Sequence, residues 1–150
     1  MSAWVLYDGE RVERHAIEMN EIIEARILGD RGEPWECVLE QITSYGMPVG
    51  AEVFETVFWT GRFYSAAKTL RRIPTRIPRG KVKLHICGSP GAKDSNIRQA
   101  LIDRFGGKDR AIGKKASSGP LYGLRKDEWQ ALALAVTWWD QRATANAAGV

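Results

Sequence analysis

Few side chains in this 150-residue chain have the type and setting to do chemistry, and those that do are mainly carboxylates. The two His and two Cys are scattered without metal-ligand spacing. Neither a Gly-x-Ser-x-Gly elbow nor a Gly-x-x-x-x-Gly-Lys-Ser/Thr phosphate loop occurs. Glu40 directly follows the apolar run Trp35 to Leu39, which reads as a buried strand. That places it at the carboxyl end of a strand, where α/β sheets bind ligands. A polar residue at that point also simply marks the start of a loop. Asp127 stands where the last helix begins and reads as a metal-binding carboxylate facing Glu40. Asp127-Glu128-Trp129-Gln130 equally resembles a capping box, and the two roles are compatible. Glu128 joins Glu40 and Asp127 as a metal-ligand candidate, although its adjacent position on the helix points it elsewhere. Lys93, in Gly91-Ala92-Lys93-Asp94, stands where a turn enters a helix. A lysine there suits a phosphate or an attacking water, and an exposed lysine of no function reads the same way.

The elements that must position these residues follow from hydrophobic spacing. Residues 3–7 and 11–17 read as strands joined by the Asp8-Gly9 turn signal. Residues 18–29 carry helical spacing and end at Gly29 and Gly32. Residues 50–70 predict a long helix that buries Val53, Val57, Trp59, Phe63 and Ala67. Residues 71–80 form a basic connector with a short strand at its centre. Residues 81–87, Lys-Val-Lys-Leu-His-Ile-Cys, alternate cleanly and predict a strand with Val82, Leu84 and Ile86 on one face. Residues 92–105 predict a helix on Ile97, Ala100, Leu101 and Phe105. Residues 106–123 hold five glycines and four lysines or arginines and read as a mobile basic loop. The last helix runs from about 126 to 142, with Trp129, Leu132, Val136 and Trp139 inward. This order is α/β, and the length suits one domain over 1–150.

Charge is distributed unevenly. Residues 1–60 carry a net charge of −8, whereas residues 61–126 hold 17 basic and 3 acidic residues, a net of +14. Such a stretch repels itself unless it meets a polyanion, and nucleic acid is the first partner to consider. The candidate contacts are Lys68, Arg71, Arg72, Arg76, Arg79, Lys83, Lys114 and Lys115. A composition 44% hydrophobic and 27% charged excludes general disorder, and no apolar run is long enough to span a membrane. Both cysteines sit in apolar stretches and read as buried reduced thiols. With no signal peptide visible, a cytoplasmic setting is expected. The six tryptophans suggest base stacking less than core packing, because Trp59, Trp129 and Trp139 fall on helix faces expected to be buried.

Taken in order, these segments resemble the RuvC-type Holliday junction resolvases of the ribonuclease H-like superfamily, in particular the small versions found in phages and prophages. The resemblance rests on Val38-Leu39-Glu40-Gln41, Tyr45-Gly46-Met47-Pro48-Val49-Gly50, Thr60-Gly61-Arg62-Phe63, Val82 to Gly88, Gly91 to Ile97, and Lys126 to Ala135. It implies a ribonuclease H-like mixed sheet flanked by helices, and a homodimer that cuts four-way DNA junctions in recombination and repair. It also implies an endonuclease that hydrolyses phosphodiester bonds with two Mg²⁺ ions. By matching position, Glu40 and Asp127 become metal-binding carboxylates, Lys93 the lysine near the scissile phosphate, and Lys83 a basic residue near DNA. Members of the family begin with a central strand ending in Asp-Pro-Gly, whose Asp binds both metals. This chain opens at Ser2-Ala3-Trp4-Val5, which resembles the segment immediately after that motif, so the first strand of the family is expected to be missing. Gln130 also stands where many members have a second helix Asp. Truncation, a degenerate resolvase that binds branched DNA without cutting, and a rebuilt site are the competing explanations.

Overall fold

The computed structural model describes residues 1–32, 34–44 and 46–149, so Tyr45 of the resembling loop lies outside the described residues. The architecture is mixed α/β and divides into two compact units. No helix among the described residues is long and apolar enough to cross a membrane.

The first unit comprises residues 1–2 and 18–79. It contains α1 (Asn20–Gly29), β3 (Val38–Gln41), α2 (Ala51–Thr69) and β4 (Thr75–Pro78); β1 (Ser2–Tyr7) and β2 (Val12–Glu18) precede them in the chain. Here β3 and β4 pair in parallel, with Val38 opposite Thr75 and Glu40 opposite Ile77. Parallel neighbours need a long crossover, and α2 supplies it. The helix ends because Arg71 takes a left-handed conformation (φ 60°), with the Arg72 N–H returning to the Ala67 carbonyl at 3.1 Å. Trp59, Phe63, Ala66 and Ala67 of α2 are buried, and Ile23, Cys37 and Ile77 complete this core. Val57, expected inside, is half exposed, because it lies on the flank of α2 away from that stripe. Strand β3 is shorter than the run that announced it: Trp35 to Cys37 lie outside it and Glu40 lies within it.

The second unit comprises residues 3–17 and 80–150. Strands β1 (Ser2–Tyr7) and β2 (Val12–Glu18) form a two-stranded sheet around the Asp8-Gly9 turn. Gly9 has φ 101°, and a Cβ there would come within 2.4 Å of the Trp139 ring, so both backbone conformation and space require glycine. The Asp8 carboxylate accepts the Glu10 and Arg11 N–H groups, each at 2.8 Å, and these bonds lower its pKa. Then come α3 (Arg79–Cys87), α4 (Asp94–Arg104), α5 (Lys108–Ala111), the small antiparallel pair β5 (Gly113–Lys114) and β6 (Ser117–Ser118), and α6 (Glu128–Ala148). The core is Val82, Ile97, Leu101, Ile102, Ala111, Leu121, Trp129, Leu132, Ala133 and Val136, built chiefly where α4 packs on α6.

Four expectations need correction here. Residues 81–87 are helical, not a strand. Their alternating pattern does not describe their environment: Val82 is 5% exposed, whereas Leu84, two residues on, is 52% exposed. On a helix these side chains diverge, and tertiary contact overrides the strand preference of Val and Ile. A polar contact accompanies the helix. His85 Nε2 lies 2.7 Å from Asp140 Oδ2, and Arg104 grips the same carboxylate through two bonds of 2.6 Å, tying α3, α4 and α6 together. Residues 106–123, read as a loop, instead carry α5 and the β5–β6 pair. In addition, Trp139 is 40% exposed, and it packs edge-on against Tyr7 with ring centres 6.0 Å apart. Both cysteines are free, but only Cys37 is buried; burial pushes its thiol up to about 11.

The helical assignment of residues 79–87 predicts unequal effects from two substitutions that a strand would make alike. Val82→Ala should cost roughly 2 kcal/mol in denaturant unfolding. Leu84→Ala should stay within about 0.5 kcal/mol of the parent. Asp140 gives a second prediction. Its pKa lies below the ordinary value of 3.8, chiefly through the Arg104 bonds and also through His85, with desolvation opposing. The stabilisation is therefore complete above that value and is lost as pH falls through the lower folded pKa, because the unfolded chain binds the proton first. Acid titration of stability should show a shallower fall for Asp140→Asn than for the parent.

Candidate functional site

The sequence candidates fall on both units. Glu40 belongs to the first; Lys93, Asp127 and Glu128 belong to the second. Glu40 stands on β3 half-exposed, with Arg79 Nη1 3.8 Å from its Oε1. At that distance and exposure the contact is a weak ion pair. Strand β3 owes its position to the β4 ladder, and Thr75 extends that ladder by donating its N–H to the Cys37 carbonyl at 2.9 Å.

Lys93 is exposed and precedes α4 directly. Its N–H donates to Asn96 Oδ1 at 2.9 Å, so the asparagine side chain fastens the turn while the lysine side chain stays in solvent. Asp127 is also exposed. It does not form the expected capping box: its side chain makes no cap bond, and its backbone (φ −70°, ψ −9°) is already helical rather than extended. The start of α6 is closed differently. Lys126 adopts φ 48°, and the N–H groups of Glu128 and Gln130 return to the carbonyls of Arg125 and Asp127 at 3.1 and 3.0 Å.

Glu128 closes the turn. It is 1% exposed, its Oε1 lies 2.8 Å from His15 Nδ1 on β2, and its Oε2 accepts the Arg125 N–H at 2.8 Å. Both oxygens are thus engaged, and the carboxylate faces the interior. The Asp127 side chain points to solvent as a consequence of this arrangement. Sequence reasoning did not single out His15. Its only signal was a histidine on a strand of otherwise mixed polarity.

The described residues do not fit a two-Mg²⁺ centre. No group of three or more His, Cys, Asp or Glu side chains among them is arranged to hold a metal ion, and Glu128 is spent on His15 and Arg125. The basic candidates divide between the units. Lys68, Arg71, Arg76 and Arg79 are exposed on the first, and Arg72 stacks over Trp35 with its guanidinium 3.9 Å from the ring centre. Arg76 lies over Tyr64 at 5.7 Å. On the second unit, Lys114 and Lys115 are exposed at the β5–β6 pair and Lys83 is half-buried on α3, not on a strand.

Removing the partner of Glu128 tests its structural role. His15→Ala leaves a buried carboxylate oxygen unsatisfied and should cost about 1–3 kcal/mol in thermal or denaturant unfolding. His15→Gln, which keeps a donor, should recover part of the loss.

The sequence matches no protein-family profile and no curated protein. A comparison of folds does find likeness. The RuvC structure of Thermus thermophilus superposes with a TM-score of 0.61 at 18% identity, covering 95% of this chain and 87% of that one. The chain has a RuvC-like fold.

Proposed function

We propose that this protein is a Holliday junction resolvase-like protein that recognises branched DNA, with residues 1–150 acting as one RuvC-like, ribonuclease H-like domain. The observation that carries the reading is the RuvC-like fold on a chain whose middle stretch has a net charge of +14. In this reading Lys68, Arg71, Arg72, Arg76, Arg79, Lys83, Lys114 and Lys115 meet the phosphate backbone. Arg72 and Arg76, braced on Trp35 and Tyr64, have less freedom to lose on binding than free side chains would. Glu40, Asp127 and Lys93 are the reacting groups assigned in this reading, the ammonium of Lys93 holding a phosphate oxygen. Phosphodiester hydrolysis supported by Mg²⁺ belongs to the same reading, but no step is derived through the metal because the described carboxylates do not assemble a centre for it. A second reading, a branched-DNA binder without nuclease activity, is favoured by that same observation and by the commitment of Glu128 to His15. A homodimer in the cytoplasm of a bacterial or phage-infected cell completes the proposal. The exposed stripe Phe54, Val57 and Phe58 on α2 offers an apolar face for the second copy.

The test is binding and nicking of a labelled four-way junction by the whole chain. The protein should prefer the junction to linear duplex of the same sequence by about tenfold or more, with affinity falling steeply as salt rises. Arg71→Glu with Arg76→Glu should weaken binding by about tenfold or more. Equal affinity for junction and linear duplex would overturn the proposal. Nicking in Mg²⁺ that Glu40→Gln abolishes supports the nuclease; junction binding without nicking selects the second reading.

A further inference from the structure

Strand β1 has the composition of a central strand and the position of an edge strand. Its sequence, Ser2-Ala3-Trp4-Val5-Leu6-Tyr7, contains no charge and is apolar from Ala3 onward. Near-continuous apolar runs of this kind belong to strands with neighbours on every side. Among the described residues, however, β1 pairs with β2 alone, in a two-stranded sheet, and none of its six residues is buried. The other strands carry features that keep an edge from pairing. β2 exposes Glu13 and Arg14, β3 carries Glu40, and β4 carries Arg76 and Pro78. β5 and β6 are only two residues long. β1 has neither charge nor proline and runs for six residues.

The lack of charge points to the occupant. When a strand pairs antiparallel with its own copy across a two-fold axis, a charged side chain near the axis meets its own likeness. Ser2 to Tyr7 carries no such side chain, so two copies of β1 meet without repulsion. The product is a four-stranded antiparallel sheet in the order β2-β1-β1-β2. Its centre is apolar, and Glu13 and Arg14 fall on the two outer strands, where charge protects a sheet from further pairing. Arg14 lies over the Trp4 ring at 5.8 Å, which directs this cation onto a face of the sheet rather than onto the β1 edge. Four strands also exceed the two that are marginal in isolation.

We infer that β1 is a self-pairing edge, through which two copies of this chain join their hairpins into one four-stranded sheet. The contact is distinct from the α2 stripe of Phe54, Val57 and Phe58, and it needs no DNA, so it stands or falls separately from the branched-DNA reading. A six-residue strand spans about 20 Å. An interface of that size is small and its association weak, formed at high concentration and lost on dilution.

Amide hydrogen exchange of the whole chain across about a hundredfold dilution, with sedimentation velocity on the same samples, tests the edge. Mass should rise with concentration. Over the same range the β1 amides should gain about tenfold or more in protection, while those of α4 and α6 stay unchanged. Val5→Lys, which places a charge near the axis, should weaken association about tenfold or more. Val5→Thr keeps a β-branched, uncharged residue and should retain association. In Phe54→Glu, which alters the α2 stripe, the concentration-dependent protection of β1 should persist. Because the exchange is read on the unaltered chain, the result stands even if Val5→Lys does not fold. Association without added protection of β1, or protection that Phe54→Glu abolishes, overturns the inference and assigns the contact to α2. β1 amides equally protected at every concentration show the edge to be covered within one copy, which also overturns it. A chain monomeric throughout the series, with β1 unprotected, leaves the edge to a different protein and overturns it too. Association that protects β1 and that Val5→Lys removes supports the inference, whether or not the protein prefers junctions.

Discussion

A carboxylate removed from water must find partners for both oxygens, and Glu128 does so with the His15 ring and the Arg125 amide. Much of the second unit depends on that requirement. One bond ties β2 to α6 and the other closes the turn through which the chain enters the helix. The turn in turn requires Lys126 to adopt its left-handed conformation, leaves Asp127 facing solvent, and seats Trp129 in the core one residue later. Neighbouring acidic residues on one helix therefore have opposite tasks: Glu128 is internal framework, and Asp127 remains available at the surface.

The fold was largely legible where apolar spacing and local turn chemistry agree. The hairpin around Asp8-Gly9, the helices over 20–29, 51–69 and 94–104, the helix from 128 as far as about 142, and the short strand inside the basic connector all follow from patterns within a few residues, whereas the last helix continues to 148. Misreading occurred where a distant contact decides. Seven alternating residues at 81–87 cannot reveal that the segment is helical and that His85 meets Asp140, 55 positions away. The Asp127 capping box failed for a related reason: the cap is made from inside, by a side chain whose burial depends on a strand more than a hundred residues earlier. The short elements at 108–118 were hidden by glycine content. Gly113 and Gly119 there permit close backbone approach, since a Cβ on either would lie 2.3 or 2.2 Å from a carbonyl oxygen.

The candidate site was legible as a set of residue types and less so as an arrangement. Glu40, Lys93 and Asp127 are all solvent-accessible, as reacting groups must be, whereas Glu128 is not. The aromatic partners of the arginines were invisible to composition. The tryptophans were assigned to the core, and Trp129 does lie there, but its outer face carries Arg98. One ring thus serves packing and charge placement together, a combination that neither hydrophobic spacing nor charge counting detects.

The parallel pairing of β3 with β4 has a kinetic consequence. Val38 meets Thr75 only after the intervening chain, with all of α2, has been drawn into a closed loop. Contacts of such sequence separation form slowly, because the entropy of closure is lost before the ladder can compensate for it. Preformed α2 shortens that loop and so lowers the closure cost met by the strand that bears Glu40. Gly61, near the middle of α2 with open space beside it, weakens the helix by about 1 kcal/mol relative to alanine.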